Sequence, residues 1–559
     1  MEKRKFSFWR LVKIISVVFG ILVILVLCTG WYLNQHWNKL LRKELSGYVT
    51  DLSDSLYTVR FSDLKLDVLS GSVTVTNASM ALDSAIYKKL LAQHRAPTDI
   101  YLVSVEKLQL RYFKPWRYFN GKELNAGSLT VTGPSIIMEQ NATVKDTTKP
   151  KTAYENISSK MKSIFIGKLV LDGTNFKYIF TRKDSSKVIH QFHNLRVRVN
   201  DFLIDSVAIN DPTRFLYARN YEIGMKDYMH RTRDSLYWMN VRGISYDAAE
   251  RALNIEQFSI EPRYDKEAFQ KKVGVQQDRY DLSFNNISIH ELDPRLLLQE
   301  QQVWAQRINI GSGKLDIYRN RNLPMPPGNK LGQYPNQQLQ KLKLPIKIDT
   351  LTGNNVEIQY AELSNETQQT GIIHFNHVHG NFRNITNIDS LIAKNNHCVA
   401  DLDAIFMQSG KLKARFDFTL NSKPGQFAVS GQLQNMNGKD LNVVTKPLGK
   451  VEIRSCDIQD LTFVIKGDER KAAGHVKLLY KNLKIAVLKQ DKDHQGFTRK
   501  GLVSFVANLL VIKDSNPLKD EKVRTSDPVY PRDIKKSFFN LVWKTLFTGV
   551  KETAGAKNI

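Results

Sequence analysis

Alternation of apolar and polar residues with a period of two runs through most of the chain after residue 50, and it constrains the fold more than any other feature. Clear examples are LKLDV at 64–68, LRVRV at 195–199, VEIQY at 356–360, FDFTL at 416–420 and LKIAV at 483–487. This period places every second side chain on the same face of a β-strand. Strands of a parallel sheet that is covered on both faces would be apolar throughout instead. The sequence therefore predicts a mostly β protein with a long, repetitive antiparallel sheet that has one polar face.

A weak repeat accompanies the alternation, in which a glycine precedes an alternating segment. Its copies are GSVTV at 71–75, GSLTV at 127–131, GKLVL at 167–171 and GKLDI at 313–317. We interpret each glycine as a turn that opens a strand, with the alternating pair setting the register. Turn residues are drawn from a small set in any antiparallel protein. Convergent turn chemistry therefore explains these segments as well as a true repeat does.

An uncharged segment from 14 to 35 is long enough to cross a bilayer, which takes about 20 apolar residues. Basic residues precede it and aromatic residues follow it, an arrangement typical of an anchor with its N-terminus in the cytoplasm. A cleaved signal peptide would have a shorter apolar core and a small-residue cleavage site. Leu27 is also too bulky to precede a lipoprotein cysteine at Cys28. The sequence predicts an uncleaved anchor, represented by Ile14, Val18, Ile21, Leu25, Trp31 and Tyr32.

The chain is strongly basic, with 81 Lys and Arg against 55 Asp and Glu, a formal net charge of +26. This charge favours an anionic partner such as lipid headgroups, acidic glycolipid or nucleic acid. The basic residues are scattered and form no recognisable nucleic-acid motif, so we expect no nucleic-acid partner. With only three cysteines, a disulfide scaffold is excluded, although pairing of Cys398 with Cys456 stays open.

Proline-rich breaks divide the chain into four predicted parts. A cytoplasmic tail and anchor occupy 1–36, a first β-region 37–330, a second β-region 331–515, and a linker with a terminal helix 516–559. The break between the two β-regions is a Pro- and Gln-rich segment at 324–345, which we expect to be a long loop or a boundary. A short surface helix is predicted at 85–94.

The terminal segment 533–549 has the 3.6-residue period of an amphipathic helix. Asp533 is a candidate N-cap and Gly549 a candidate stop. Its aromatic residues beside lysines suit a membrane interface, but a helix that caps the end of the sheet would have the same pattern. Both alternatives stay open. The residues of interest are Ile534, Phe538, Leu541, Val542 and Trp543.

No catalytic signature is present in the sequence. GSGK at 311–314 resembles part of a P-loop, but Ile308 replaces its first glycine and Leu315 its metal-binding Ser or Thr, so we interpret it as a strand-opening turn. His377 and His379 would share a strand face, yet two histidines are fewer ligands than a zinc site needs. We therefore predict no catalytic residue, no cofactor and no metal site, and we do not expect an enzyme.

The overall layout resembles the AsmA-like family of Gram-negative envelope proteins, including relatives known only as domains of unknown function. The matching features are the short basic tail with its single span, VRFSDLKLDVLSGSVTVTN at 59–77, and LYKNLKI at 479–485 and ANLLVIK at 507–513 ahead of the terminal helix. These motifs are degenerate, although the likeness extends over the whole chain.

The resemblance implies an inner-membrane protein whose bulk lies in the periplasm. In such a protein the sheet curls into an apolar groove that binds or conducts lipid, most simply phospholipid, between the envelope membranes and so supports outer-membrane biogenesis. Membrane lipids and other envelope proteins would be its partners. The alternative is a structural or assembly factor whose sheet faces pack shut. By parity, the expected groove residues are Leu64, Leu66, Val73, Val75, Leu129 and Val131.

Overall fold

The computed structural model describes residues 53, 55–67, 71–114, 117, 121–144, 152–158, 161–490, 497–499, 512–519 and 521–555. They form two compact units. Unit 1 contains the described residues within 1–230, 241–255 and 294–300, and unit 2 contains those within 231–240, 256–293 and 301–559. The predicted boundary near residue 330 therefore falls inside unit 2 and does not separate the units.

The chain is mostly β, and its strands join in one mixed sheet. The first eleven strands are β1 Tyr57–Arg60, β2 Asp63–Asp67, β3 Ser72–Leu82, β4 Asp99–Arg111, β5 Glu123–Thr132, β6 Ser135–Asn141, β7 Ser163–Thr181, β8 Lys187–Ile204, β9 Ala218–Arg231, β10 Tyr237–Asp247 and β11 Ala252–Pro262. The others are β12 Arg279–His290, β13 Val303–Asn320, β14 Ile346–Leu363, β15 Thr370–Thr386, β16 His397–Phe406, β17 Gly410–Thr419, β18 Phe427–Asn437, β19 Val451–Gly467, β20 Lys471–Gln490, β21 Phe497–Arg499, β22 Thr525–Ser526 and β23 Val529–Pro531.

The helices among the described residues are short, apart from the last one. They are α1 Ser84–Ala92, α2 Ala153–Ile157, α3 Lys266–Val273, α4 Pro335–Gln340, α5 Asp389–Ile392, α6 Asn442–Gly449 and α7 Phe538–Thr553, with 3₁₀ turns at Ala208–Asn210 and Gly438–Leu441 and a π turn at Leu296–Glu300. The surface helix predicted at 85–94 is confirmed as α1. Asp83 caps it by accepting hydrogen bonds from the backbone N–H groups of Ala85 and Ile86.

Most strand pairs are antiparallel, as predicted, but the sheet is mixed, so the prediction of an antiparallel sheet is only partly confirmed. Strand β7 runs parallel to both β5 and β6, and β14 runs parallel to β13. Parallel neighbours need a crossover connection. Helix α2 lies in the connection that leads to β7, and α4 lies in the one that leads to β14. Alternation indicates that one face of a strand is buried, but it carries no information about the direction of the neighbouring strand.

The core of unit 1 is closed around the first strands of the sheet. Leu110, Leu124, Leu129, Ile164 and Ile166 are all fully buried there. Helix α2 contributes Ala153 and Ile157 to the same cluster. The amide of Ala153 also donates a hydrogen bond to the Tyr217 hydroxyl at 3.3 Å. The helix therefore acts as a cover for the apolar face at this end of the unit.

Unit 2 has a second closed core, formed by β18, β19, β20 and α7. The Pro- and Gln-rich segment that was predicted as a loop or boundary is part of it. Tyr334 is fully buried and its hydroxyl donates to the Asp468 carbonyl at 3.1 Å. The side-chain amides of Asn336 and Gln337 donate to the Thr419 and Lys423 carbonyls. Because buried amides satisfy backbone carbonyls, polar composition here reflects anchoring within the core rather than a solvated linker.

The glycines of the repeated segments have different roles. Gly71 precedes β3 with a φ of 59°, as expected for a turn. Gly127, Gly167 and Gly313 instead lie inside β5, β7 and β13, so their interpretation as strand-opening turns is wrong. A Cβ at Gly313 would lie 2.4 Å from Cδ1 of Phe284. The absence of a side chain at Gly313 therefore leaves room for the Phe284 ring.

The predicted membrane anchor, including Ile14, Val18, Ile21, Leu25, Trp31 and Tyr32, lies outside the described residues. Among those that are described, no helix has both the length and the apolar character needed to cross a membrane.

Candidate apolar ligand-binding surface

The residues predicted to line a groove belong to the closed core of unit 1. Val73, Val75, Leu129 and Val131 are 1, 3, 0 and 5% exposed. Leu64 is partly buried and packs against the same cluster, while the Leu66 side chain lies outside the described part of the chain. Because these side chains contact other protein side chains, they do not form an accessible lining in this structure.

A more accessible apolar surface lies in unit 2, on one face of β12 to β17. Its first row, which we call row A, consists of residues that are register partners on successive strands. Row A contains Ile289, Ile308, Leu351, Phe382, Ala400 and Phe416. Register partners on adjacent strands point to the same face of a sheet, so these side chains form a continuous apolar line.

A second row, row B, lies nearer the opposite ends of the same strands. It contains Leu282, Leu315, Ile358, Phe375 and Phe406. All five side chains are half-buried. The Phe375 and Phe406 rings lie 5.2 Å apart in a tilted contact, which fixes the row at its β15–β16 end.

Exposure changes along row A. Ile289, Ile308, Leu351 and Phe382 on β12 to β15 are half-buried. Their partner on β16, Ala400, is only 2% exposed, and Phe416 on β17 is half-buried. The partners that follow Phe416 on β18 and β19, Val429 and Ile465, are 1% and 0% exposed. The apolar rows therefore run from a partly accessible surface directly into the closed core of unit 2. The union of rows A and B is the candidate ligand-binding surface.

Ionic side chains follow the apolar rows at one end. Tyr280, Ile317, Tyr360 and Ile373 form the last apolar row of β12 to β15. Two residues further along β13, the Arg319 guanidinium binds the Asp278 carboxylate through two contacts of 2.7 Å.

A second pair stands beside this ion pair. Arg321 Nη1 lies 3.2 Å from Glu362 Oε1, and the Tyr360 hydroxyl donates to Glu362 Oε2 at 2.7 Å. Burial, reinforced by the Asp278 carboxylate, raises the pKa of Tyr280 to about 12. Both nearby tyrosines stay neutral at physiological pH, since burial and Glu362 also raise the pKa of Tyr360. The surface is thus apolar across its strands and ionic beside one end of β12, β13 and β14.

No family model and no curated protein matches this chain.

The terminal amphipathic helix forms as α7, but it begins later and ends later than predicted. Ser537, not Asp533, is the N-cap, since its hydroxyl accepts from the Asn540 amide. Ile534 precedes the helix and is 44% exposed. Gly549 does not stop the helix, which continues to Thr553. Gly549 instead packs closely on β20.

The two faces of α7 have different environments. Phe538 and Leu541 are 3% and 2% exposed in the closed core of unit 2, with Val542 packed against it. Trp543 lies on the other face and is 46% exposed. One face of α7 therefore packs on the sheet, as expected for a helix that caps the end of the sheet.

The histidine-rich segment of β15 is irregular. His377 has a φ of 51° and lies at a register shift between Asn376 and His379. Its Nδ1 lies 2.8 Å from the Asn355 Oδ1. Among the described residues, no group of three or more His, Cys, Asp or Glu side chains is placed to hold a metal ion.

Cys398 and Cys456 are both free and buried, so the disulfide left open by the sequence is not formed. Burial, with Asp417 as a smaller cause, raises the pKa of Cys398 to about 11. Burial, together with Asp457, raises the pKa of Cys456 to about 12. Both thiols therefore behave as small apolar core residues rather than as nucleophiles.

Rows A and B were not singled out by the sequence, although VEIQY at 356–360 and FDFTL at 416–420 belong to the strands that carry them. The strands that carry rows A and B alternate apolar and polar residues in the same way as the strands around Val73 and Leu129, whose apolar face is buried. Whether a face is covered depends on elements distant in sequence, such as α2 in unit 1. The alternation alone contains no signal for that difference.

Proposed function

We propose that this chain binds or conducts lipid in the cell envelope, with acyl chains lying along rows A and B of unit 2. The observation that supports this proposal is the change of exposure along row A, where the apolar residues of β12 to β15 are half-buried while those that continue the row on β16, β18 and β19 (Ala400, Val429 and Ile465) are buried. Large apolar surfaces left partly open to solvent are uncommon and usually mark binding sites.

The energetics favour a surface of this kind for moving lipid. Each CH₂ group exposed to water costs about 0.8 kcal/mol, so a two-chain lipid crossing water unaided meets a barrier of tens of kcal/mol. An apolar line that crosses several strands replaces much of that lost contact. Adjacent strands are about 4.8 Å apart, so six strands present roughly 25 Å of surface, the length of a long acyl chain.

The ionic end of the surface suits the polar part of such a ligand. Arg319, Asp278, Arg321 and Glu362 lie beyond the last apolar row, where the headgroup of an amphiphile would be placed. An apolar ligand with no polar end would leave these groups without a role in binding. The arrangement therefore favours a lipid with a charged or zwitterionic headgroup.

The wider setting of this activity is also part of the proposal. The likeness to the AsmA-like family in the segments at 59–77, 479–485 and 507–513, together with the uncharged span at 14–35, supports an inner-membrane protein with its bulk in the periplasm. In this setting the protein would support outer-membrane biogenesis and would need no catalytic residues of its own.

Site-specific photo-crosslinking tests the proposal in the full-length protein. Benzoylphenylalanine in place of Phe375 probes row B, and the same residue in place of Tyr112, which is 69% exposed in unit 1, is the matched surface control. After irradiation in cells, mass spectrometry should find lipid adducts at position 375 and none at 112. Adducts at neither position, with both proteins folded, would exclude rows A and B as the lipid site.

A structural or assembly role remains the second candidate. The closed core of unit 1 specifically favours it, since Val73, Val75, Leu129 and Val131, the residues expected to line a groove there, pack against other side chains. Lipid-free protein after gentle extraction, combined with an envelope defect on deletion, would favour this second role over the first.

A further inference from the structure

The exposed face of α7 carries a stripe of aromatic side chains. Phe539, Trp543 and Phe547 follow one another at intervals of four residues and are 63, 46 and 38% exposed. The interval places them on one face of the helix. The Trp543 and Phe547 rings are stacked with centroids 5.6 Å apart, and Lys551 Nζ lies 5.5 Å from the Phe547 ring centroid. We call these three residues the aromatic stripe.

The stripe cannot rotate into the protein, because the opposite face of α7 is fixed. Phe538, Leu541, Thr545, Gly549 and Thr553 are buried at intervals of three and four residues. Phe538 alone contacts the rings of Tyr334, Phe418 and Phe427 at 5.2, 5.5 and 4.8 Å. Three large side chains are therefore held outward on a rigid support.

The segment that carries the stripe is rich in cationic residues. Between 531 and 555 there are five, Arg532, Lys535, Lys536, Lys544 and Lys551, against the two acidic residues Asp533 and Glu552. Glu552 is already engaged with the Ser526 hydroxyl. The segment that carries the stripe therefore has an excess of positive charge.

A further lysine joins this charge at the start of the helix. The Lys330 amide donates to the Ile534 carbonyl at 2.7 Å, and the Lys330 carbonyl accepts from Arg532 Nη2 at 3.2 Å. Burial and the nearby cations Arg319, Lys536 and Arg532 lower the pKa of Lys330, although Asp278 opposes them. The Arg532 side chain is itself 9% exposed, and its Nε and Nη1 have no hydrogen-bond partner among the described residues.

We propose that the aromatic stripe and the lysines of the same segment, Lys535, Lys536, Lys544 and Lys551, form a docking surface for a membrane whose lipids carry anionic headgroups. Trp and Phe are favoured at the boundary between headgroups and acyl chains, and lysines beside them attract anionic lipid. A protein partner fits less well, since lysine is depleted in protein interfaces. Docking through α7 places unit 2 on a lipid surface, and it does not depend on rows A and B binding lipid.

A local fluorescent reporter tests this docking in the full-length chain. An environment-sensitive dye on Phe547→Cys, in a Cys28→Ser background, reports the stripe; the same dye on Val443→Cys, which is 47% exposed on α6, is the matched control. Cys398 and Cys456 are buried and should label slowly. Because the dye senses only its own surroundings, any lipid contact made by residues 1–36 does not contribute to the signal.

Addition of phosphatidylglycerol vesicles should shift the emission at position 547 to the blue and leave that at 443 unchanged, whereas phosphatidylcholine vesicles should give a weaker response. Each lysine near an anionic surface contributes about 1 kcal/mol, so Lys535→Ala with Lys536→Ala should raise the lipid concentration at half-response about 25-fold. Removing the same charge at Lys481 and Lys484, which are exposed on β20, should have little effect. Equal emission at positions 547 and 443 in every vesicle would overturn the proposal.

The fluorescence experiment on α7 and the photo-crosslinking experiment on row B can fail independently of each other. A blue shift at position 547 without lipid adducts at Phe375 would mean that the protein docks on a membrane through α7 but does not bind lipid along row B. Adducts at Phe375 without a shift at 547 would leave a lipid-binding protein that does not dock through α7.

Discussion

Gly549 of α7 lies directly against Val476 of β20, so that a Cβ at position 549 would come within 2.5 Å of Val476 Cγ2. Val476 is fully buried in the closed core of unit 2. The close approach of helix and strand therefore depends on the missing side chain, which explains a glycine in the middle of a helix where it would otherwise be unfavourable.

Gly549→Val should detach α7 from the sheet. Overpacking a well-packed contact costs roughly 1–3 kcal/mol, and that cost should appear as faster hydrogen exchange of α7 amides by about 10- to 100-fold. Thr548→Val adds the same side chain at a half-buried neighbouring position and serves as the control. Unchanged exchange in Gly549→Val would show that α7 is not held by this contact.

A charge should be tolerated in row B and not in the core of unit 1. Leu315 is half-buried, so Leu315→Asp keeps part of its carboxylate hydrated and should cost about 1–2 kcal/mol. Val73 is 1% exposed, and Val73→Asp should cost more than about 4 kcal/mol and unfold unit 1. Hydrogen exchange of β3 and β13 measures both effects. Equal loss of protection in the two variants would mean that row B is as closed as the core.

The same contrast shows what the sequence could predict. The alternation around Val73 and around Ile358 correctly indicates strands with one apolar face, since that pattern depends only on neighbouring residues. It cannot distinguish a covered face from an open one, because the cover comes from Ala153 and Ile157 of α2, which follow Val73 by about 80 positions. Likewise, the composition near Tyr334 correctly predicted that no strand forms there, but it did not show that the amides of Asn336 and Gln337 satisfy carbonyls within unit 2.

The Asp278–Arg319 ion pair should stabilise the ionic end of the surface. The two side chains are only 20% and 17% exposed, and removal of one partner from a buried pair typically costs about 3 kcal/mol or more. We expect Asp278→Ala to lower the thermal stability of unit 2 by that order, and Asp278→Ala with Arg319→Met to restore much of it. Asp316→Ala removes the partner of the more exposed Lys314 and should cost less than about 1 kcal/mol. Additive effects of the two substitutions at 278 and 319 would rule out coupling between them.

A stack of aromatic and histidine rings in unit 1 should make that unit sensitive to acid. His190 and His230 lie 4.9 Å apart between rings, and His190 Nδ1 lies 2.9 Å from the Tyr228 hydroxyl. Burial, and to a lesser extent the neighbouring His230, lower the pKa of His190 below its ordinary value. The unfolded chain therefore binds a proton more readily than the folded chain does, and linkage requires stability to fall as the pH drops below about 6.5.

His190→Gln removes this titration while keeping a polar group beside Tyr228. Between pH 7.5 and 5.5, the melting temperature of unit 1 should fall further in the natural protein than in His190→Gln. His379→Gln replaces an exposed histidine of unit 2 and should leave the natural difference intact. If His190→Gln and the natural protein lost the same stability over this range, the acid sensitivity would have to come from groups other than His190, because His190 would then gain no more protons on unfolding than it holds when folded.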